Sequence, residues 1–281
     1  MKRTSEISKL NKKTSADYIM IFIMVILAFI TVYPFYNILI LSFNDAQDAM
    51  RGGIYFWVRK FTLSNYILFF ESNDFLGSFT LSVSRTVIGS LSATFFTAMF
   101  AYVLSKKYLL GHKVLVTLMM IPMYVGGGLI PTFLLIKSIG LYQNFLVFII
   151  PWLFSSYNCI IMMTYFRGLP EEIEESAKID GANNFIIFIK IIIPISMPVI
   201  ATIILFNAVG QWNSWYDSML YGGQKLVTLQ MRLVQLIRDA EIRTKMMQTM
   251  GSAVGNFASI GVKPTVESVK VTAMAVTVIP I

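Results

Sequence analysis

The side chains best suited to bind a ligand lie near the end of a long apolar stretch. They combine amides, which hydrogen-bond hydroxyl groups, with aromatic rings, which pack against the apolar faces of sugar-like rings. Asn207, Gln211 and Ser214 recur at helical spacing on one face, and an unpaired amide is costly in apolar surroundings. The sequence therefore predicts a ligand path whose candidate residues are Asn207, Gln211, Trp212, Asn213, Trp215 and Tyr216, with weaker positions at Asn158 and Tyr124. For Trp215 and Tyr216 the alternative is an aromatic belt at a membrane boundary.

No catalytic or metal-binding set accompanies this cluster. The chain has one cysteine, Cys159, and one histidine, and its apolar stretches hold neither a carboxylate pair nor a metal-ligand group. Arg85 is the one ionisable residue well inside an apolar stretch. Intramembrane charges are often functional, but the position of Arg85 near the start of its stretch favours a side chain that reaches the outer interface. These residues predict a binding or transport protein and no enzyme.

Membrane-spanning helices must position the polar residues. Hydrophobic residues make up 56% of the chain and charged residues 14%, and the mean hydropathy is +0.67, which is too apolar for a soluble domain. The expected fold is an all-α integral membrane protein with about six transmembrane helices. Five stretches reach the roughly 20 residues that a span needs: 19–41, 76–104, 114–136, 145–165 and 191–215. A sixth begins near Val269 and contains only about a dozen residues.

The distribution of Lys and Arg predicts the orientation. The net charge of +8 is not spread along one basic face, which argues against a nucleic-acid partner. Lys and Arg cluster in the N-terminal segment and in the loop 105–113, and short basic loops face the cytoplasm. The expected division is a cytoplasmic segment, 1–18, and a transmembrane domain, 19–281. Within that domain, 166–190 is expected to be cytoplasmic and 216–265 to be a long extracytoplasmic segment.

The cytoplasmic segment has the features of two helices joined by a tight turn. Pro170 suits a first helical turn, and four glutamates follow it, where they complement the helix dipole. The first helix is predicted to run to about Ile179. Gly181 is the residue best able to take the left-handed conformation that ends a helix, and a second helix then begins at Ala182. A solvated acidic loop is the alternative.

The order of residues in this segment resembles the EAA motif of permease subunits in binding-protein-dependent ABC importers. Glu175, Ser176 and Ala177 are followed by Gly181 and Pro194 at the spacing of that motif, with Ser176 where alanine is usual. The resemblance implies a helix-turn-helix that docks on a cytoplasmic ATPase. Its coupling residues would be Glu175, Ser176, Ala177, Asp180, Gly181, Ala182 and Pro194. No GxxxxGK[ST] pattern occurs in the chain, so another polypeptide would hydrolyse ATP.

Further segments extend the resemblance over nearly the whole chain, to the carbohydrate-uptake branch of these importers. LSKK, GGGLIPTFLLIKSIGLYQN, FRGLPEEIEESAKIDGA and GQWNSWYDSMLY are similar to the second maltose permease subunit and to permeases for complex oligosaccharides. The resemblance implies a type I ABC importer transmembrane domain in the bacterial cytoplasmic membrane. It also implies a heterodimer with a second permease subunit, an extracytoplasmic solute-binding protein, and two ATPase subunits that bind ATP and Mg. This chain itself would hold no cofactor and no metal.

Other transport functions stay open at this point. An ABC permease for an amino acid, a peptide or an osmolyte would carry the same coupling motif. An ion-coupled secondary transporter would need Asp, Glu or His within the membrane, and the first five predicted spans contain none. The basic composition of 216–265 adds the hypothesis that the carbohydrate is acidic, for example a uronate-containing oligosaccharide.

Overall fold

The computed structural model describes residues 15–71, 75–106, 108–250 and 266–278, and its regular secondary structure is helical. It divides into two compact units, residues 1–72 with 236–281, and residues 73–235. Most of the expected cytoplasmic segment 1–18 and the end of 216–265 lie outside the described residues. The helices are α1 (Ser15–Ser42), α2 (Ala46–Met50), α3 (Ser64–Glu71), α4 (Phe75–Ser105), α5 (His112–Tyr124), α6 (Leu129–Ser138), α7 (Ser156–Arg167), α8 (Glu171–Ile179), α9 (Asn184–Ile195), α10 (Met197–Asn213), α11 (Leu229–Met250) and α12 (Val266–Val278).

The first unit joins the two ends of the described chain, because α12 packs against α1 and α3. The chain between α1 and α3 is organised by Asn44, whose Oδ1 accepts hydrogen bonds from the backbone N–H groups of Arg59 (2.9 Å) and Lys60 (2.8 Å). Asp48 pairs with Arg59 at 3.0 Å. Helix α1 is long and apolar enough to cross a membrane. Helix α12 has 13 described residues, fewer than the roughly 20 that a span requires.

In the second unit, α4 is the central helix and packs against both α7 and α10. Small side chains allow this close approach, and Ala98 and Ala101 of α4 are buried in the main hydrophobic core. Cys159 and Met162 of α7 and Ile203 of α10 complete the contact. This packing fixes the three helices that contribute the polar residues of the candidate ligand path.

Three of the predicted spans, 114–136, 145–165 and 191–215, are broken helices, and each bent pair passes together as one candidate span. The bend is 113° between α5 and α6, 49° between the turn Phe145–Trp152 and α7, and 85° between α9 and α10. Gly128, with φ +81°, lies at the first break. Pro151 lies in the turn before α7, and proline interrupts the helical hydrogen-bond ladder. Among the described residues, two helices, α1 and α4, are long enough to span on their own, and the three bent pairs bring the number of candidate spans to five.

Candidate functional site

The segment from α8 to α9 forms the expected helix–glycine–helix. Gly181 has φ +82°, a conformation that glycine adopts without the penalty of a Cβ. Its N–H donates to the carbonyl of Lys178 (3.0 Å), and the next N–H, of Ala182, donates to the carbonyl of Ala177 (3.0 Å). Asn183 then caps α9 by accepting from the N–H of Ile186 (2.9 Å). These hydrogen bonds satisfy backbone N–H and carbonyl groups that have no partner within a helix where α8 ends and α9 begins.

Helix α8 is held against the end of α4 by charge and by burial. Glu174 pairs with Lys106, just beyond the last residue of α4. The Tyr102 hydroxyl also donates to Glu174 (3.4 Å), and the Lys106 ammonium lies 4.7 Å from the centre of the Tyr102 ring. Ala177 is buried in the same hydrophobic core as α4 and α7. Helix α8 is therefore attached directly to the central helix of this unit.

The opposite side of the segment is open. Five of the predicted coupling residues, Glu175, Ser176, Asp180, Gly181 and Pro194, are exposed, whereas Ala177 is buried and Ala182 half-buried. Ile179, at the end of α8, is 86% exposed, and Phe185 at the start of α9 is also exposed. Exposed apolar residues beside charged ones are typical of protein-binding surfaces. Pro194 lies apart from the others, near the far end of α9.

A cluster of polar residues is buried between α4 and α10. The Arg85 side chain is 1% exposed. Its guanidinium donates to both carboxylate oxygens of Asp217 (3.1 and 2.6 Å), to Gln211 Oε1 (3.0 and 2.8 Å) and to the carbonyl of Ser214 (3.1 Å). The ring of Phe148 lies 4.4 Å from the guanidinium carbon. Arg85 thus has a full set of partners, and the expectation that it reaches the outer interface was wrong.

The predicted amides extend this cluster toward the middle of the helices. Asn207 donates to the Thr94 hydroxyl (2.9 Å) and accepts from the Asn158 amide (3.0 Å). Gln211 also donates to the carbonyl of Phe148 (3.1 Å). We call this set the polar seam; it consists of Arg85, Thr94, Asn158, Asn207, Gln211 and Asp217. As their helical spacing predicts, Asn207, Gln211 and Ser214 line one cavity of about 510 Å³.

The other predicted ligand-path residues lie away from that cavity. Trp212 is buried and meets Phe79 edge-to-face at 6.5 Å. Asn213 donates to the carbonyl of Val209 (2.9 Å) on an exposed face, and Trp215 and Tyr216 contact each other, with ring centroids 5.8 Å apart. Tyr124, at the end of α5, is 79% exposed. The structure therefore brings together Asn158, Asn207 and Gln211 and leaves the aromatic candidates outside the cavity.

Sequence reasoning did not pair Arg85 with Asp217 or Asn207 with Thr94. Asp217 follows the predicted fifth span and is 132 residues from Arg85 along the chain. A lone intramembrane arginine signals that a counter-charge exists, and Asp217 was the nearest acidic residue to the predicted amide cluster. Thr94 carried no such signal, because threonine is common in membrane helices.

The turn after α10 is fixed by hydroxyl groups. Ser218 donates to the carbonyl of Leu226 (2.7 Å) and accepts from the N–H of Thr228 (3.2 Å). Ser82 of α4 accepts from the N–H of Leu229, the first residue of α11 (2.8 Å). Burial raises the pKa of Tyr221, and the neighbouring Tyr216 and Asp217 raise it further. The segment 218–229 is therefore held firmly against the start of α4.

Apolar helices long enough to span a membrane, an exposed helix–glycine–helix and an internal polar seam are features expected of a membrane transport subunit. The family model for the binding-protein-dependent transport system inner membrane component matches residues 86–281. The chain belongs to this family, so it is a membrane-embedded permease subunit of an ABC importer and not itself an enzyme. ABC importers of this kind work with ATPase and binding-protein components.

Two relatives from Bacillus subtilis (strain 168) are each 34% identical to this chain. Protein LplC matches over 252 residues, 90% of this chain and 83% of its own length. The polygalacturonan/rhamnogalacturonan transport system permease protein YtcP matches over 258 residues, 92% of this chain and 88% of its own length. A solved structure, a bacterial ABC transporter involved in the import of the acidic polysaccharide alginate, has a chain that superposes with a TM-score of 0.82 at 25% identity, covering 95% of this chain and 94% of that one.

Proposed function

We propose that this chain translocates an oligosaccharide into a bacterial cell as one of two permease subunits of an ATP-driven importer. The similarity to a polygalacturonan/rhamnogalacturonan permease and to an alginate importer supports a carbohydrate substrate. The cavity of about 510 Å³ supports it too, because two amide side chains, Asn207 and Gln211, and two aromatic side chains, Trp152 and Phe154, line it. Amides and aromatic rings are the groups that sugars require of a binding site.

The observation that carries the proposal is the two-sided construction of the α8–α9 segment. One side is fixed to α4 by the pair of Glu174 with Lys106. The other side presents exposed Glu175, Asp180 and Ile179. A segment with these two sides can receive force from a docked ATPase and pass it to the helix that carries Arg85 and Thr94. This is the physical requirement for a pore without a nucleotide site of its own.

The proposed cycle is alternating access. An extracytoplasmic binding protein delivers the sugar, and closure of two ATPase subunits, which bind ATP and Mg, moves the α8–α9 segment. Helices α4 and α10 then move relative to their counterparts in a second, related permease subunit, and the path reopens to the cytoplasm. The N-terminus lies in the cytoplasm in this arrangement, as the positive-inside rule requires.

Replacing Gly181 with valine tests the coupling role. A valine Cβ would meet no atom within 4 Å at this position, so the effect comes from the left-handed backbone, which costs an ordinary residue about 1–2 kcal/mol. We expect Gly181→Val to reorient α9 against α8 and to abolish both sugar uptake and sugar-stimulated ATP hydrolysis in the assembled importer. Membrane insertion, measured by extraction and immunoblotting, should be unchanged.

Gly140 supplies the matched control. It also has a positive φ, +74°, and open space around its Cβ position, but it follows α6, far along the chain from the coupling segment. Gly140→Val should retain most of the uptake. Full activity of Gly181→Val, or equal loss in both variants, would refute the coupling role. Uptake of an amino acid or an osmolyte, without uptake of any oligosaccharide, would refute the carbohydrate assignment.

A further inference from the structure

A basic cavity lies where the ends of three helices meet. Its volume is about 650 Å³, which is in the range of pockets that hold a small ligand. It is lined by the start of α5 with the loop before it, and by Arg167 at the end of α7. Arg167 Nη2 donates to the carbonyl of Leu104, near the end of α4 (3.2 Å), and to Nε2 of His112, the first residue of α5 (3.0 Å). These two hydrogen bonds fix one wall of the cavity.

The position of the cavity along these helices places it at a membrane surface. Helix α4 ends at Ser105, α5 begins at His112 and α7 ends at Arg167, and each of the three belongs to a candidate span. The ends of membrane spans lie at the level of the lipid headgroups. The cavity is therefore within reach of a lipid phosphate.

The cavity carries positive charge. Lys113 and Arg167 line it and are both exposed, and none of its lining residues in the described chain is Asp or Glu. Neither cation takes part in an ion pair within the described residues. The hydrogen bonds of Arg167 within the described chain all come from Nη2, so its Nη1 and Nε groups are left for a ligand.

Neighbouring charges leave the cavity positive. Three glutamates of α8 line an adjacent cavity, where they meet two lysines as well as Arg167, and Glu174 is paired with Lys106. The residue between α4 and α5 that lies outside the described ranges, Lys107, is itself a cation. The N-cap residue of α5 is Gly111, which has no side chain to accept from the first N–H groups, and such groups attract anions. The cavity therefore favours an anion over a neutral ligand.

An apolar surface continues from the cavity into the membrane. Val114 lines the cavity, and Leu118 and Ile121 follow it at spacings of four and three residues, on the same face of α5. All three side chains are exposed. A free phosphate ester would leave this surface uncovered, whereas the acyl chain of a phospholipid would cover it. The ligand that matches both the cations and this surface is an anionic phospholipid.

We propose that this cavity binds the phosphodiester headgroup of an anionic phospholipid, such as phosphatidylglycerol. Lys113 and Arg167 pair with the phosphate, and an acyl chain lies along Val114, Leu118 and Ile121. Basic pockets between membrane helices bind anionic lipid headgroups in this way. The site goes beyond the proposed transport function, because it concerns the lipid around the subunit and is independent of the cargo.

Binding of two lipids that share their acyl chains but differ in headgroup charge tests the inference. The assembled importer is purified in a nonionic detergent and titrated with phosphatidylglycerol or phosphatidylcholine, and native mass spectrometry gives the Kd of each binding step. Lys113→Gln should raise the Kd of one phosphatidylglycerol step about fivefold, the effect of removing one cation beside an anionic lipid. The Kd values for phosphatidylcholine should change less than twofold. Arg167→Gln should act in the same direction, and the other subunits are identical in all preparations, so a difference between variants arises from this chain.

Lys137→Gln is the control, because Lys137 is also exposed but lies at the end of α6 and outside the cavity. It should leave the Kd values for both lipids unchanged. Equal changes for the two lipids in Lys113→Gln, or no change, would overturn the site. Displacement of the lipid by an equal concentration of soluble glycerophosphate would overturn it in favour of a free phosphate ester. Loss of ATPase binding in Lys113→Gln, with lipid selectivity unchanged, would overturn it in favour of a protein contact.

Discussion

Replacing Asp217 with asparagine should destabilise the protein strongly, because it leaves the Arg85 charge buried without its counter-ion. The Asp217 carboxylate accepts two bonds from Arg85, at 3.1 and 2.6 Å. Asparagine keeps the shape but turns one accepting oxygen into a donor, which then faces a guanidinium N–H. Arg85 is 1% exposed, so water does not reach it in the folded protein.

The size of the effect follows from burial. Removal of one partner from a buried ion pair costs about 3–5 kcal/mol. The Arg85 charge is still stabilised by Gln211 and by the ring of Phe148, 4.4 Å from the guanidinium carbon. We therefore expect the loss in free energy of unfolding for Asp217→Asn to lie near the lower limit of this range, about 3 kcal/mol. The double variant Arg85→Met with Asp217→Asn removes the uncompensated charge. Its loss should be smaller than the sum of the single losses by about 2 kcal/mol.

Unfolding of the purified protein in mixed micelles, titrated with SDS, measures these free energies. Asp48→Asn is the control, since its partner Arg59 has a side chain 47% exposed and water can solvate that charge when the pair is lost. We expect the control to lose about 1 kcal/mol or less. The reasoning is refuted if Asp217→Asn loses no more than Asp48→Asn, or if the two single losses simply add in the double variant.

Two further predictions concern the packing around α4. Gly89→Ala places a Cβ 3.0 Å from the Gln211 side chain and should destabilise the protein by about 1–3 kcal/mol through overpacking. Gly210→Ala is the control, because its Cβ would meet nothing within 4 Å. In the same SDS titration, the control should be neutral or stabilising. Glu174→Gln removes the ion pair with Lys106. We expect at least a fivefold loss of sugar-stimulated ATP hydrolysis, with basal ATP hydrolysis unchanged. An equal loss of both rates would contradict the proposed coupling through α8 and α4.

Local signals in the sequence predicted the helix–glycine–helix of α8 and α9. The glutamates after Pro170 and the glycine at 181 placed a helix that ends near Ile179, and the structure has α8 from Glu171–Ile179 with Gly181 at φ +82°. Such features depend on neighbouring residues alone, because caps and left-handed turns are set within a few positions. The all-helical membrane fold was equally accessible, since it follows from hydropathy.

Features that depend on distant residues were not predicted. Arg85 was assigned to the interface because its partner Asp217 is 132 residues away and nothing in a single sequence pairs the two. The amides at Asn207 and Gln211 were recognised, but not their bonds to Thr94 and Arg85. The angles of the helix breaks were not predicted for a related reason: hydropathy measures the length of an apolar stretch and is insensitive to a change in its direction.

If α8 and α9 form the coupling segment proposed above, the 85° bend between α9 and α10 sets the direction in which α10 moves. When two helices meet at nearly a right angle, a force across the first helix rotates the second helix about its own axis. The second helix moves little along that axis. Here the first helix is α9, which follows the turn at Gly181, and the second is α10, which carries Asn207 and Gln211. A sideways movement of α9 would thus rotate these two amides about the axis of α10. The amides would then face different partners, while their depth in the bilayer would stay nearly constant.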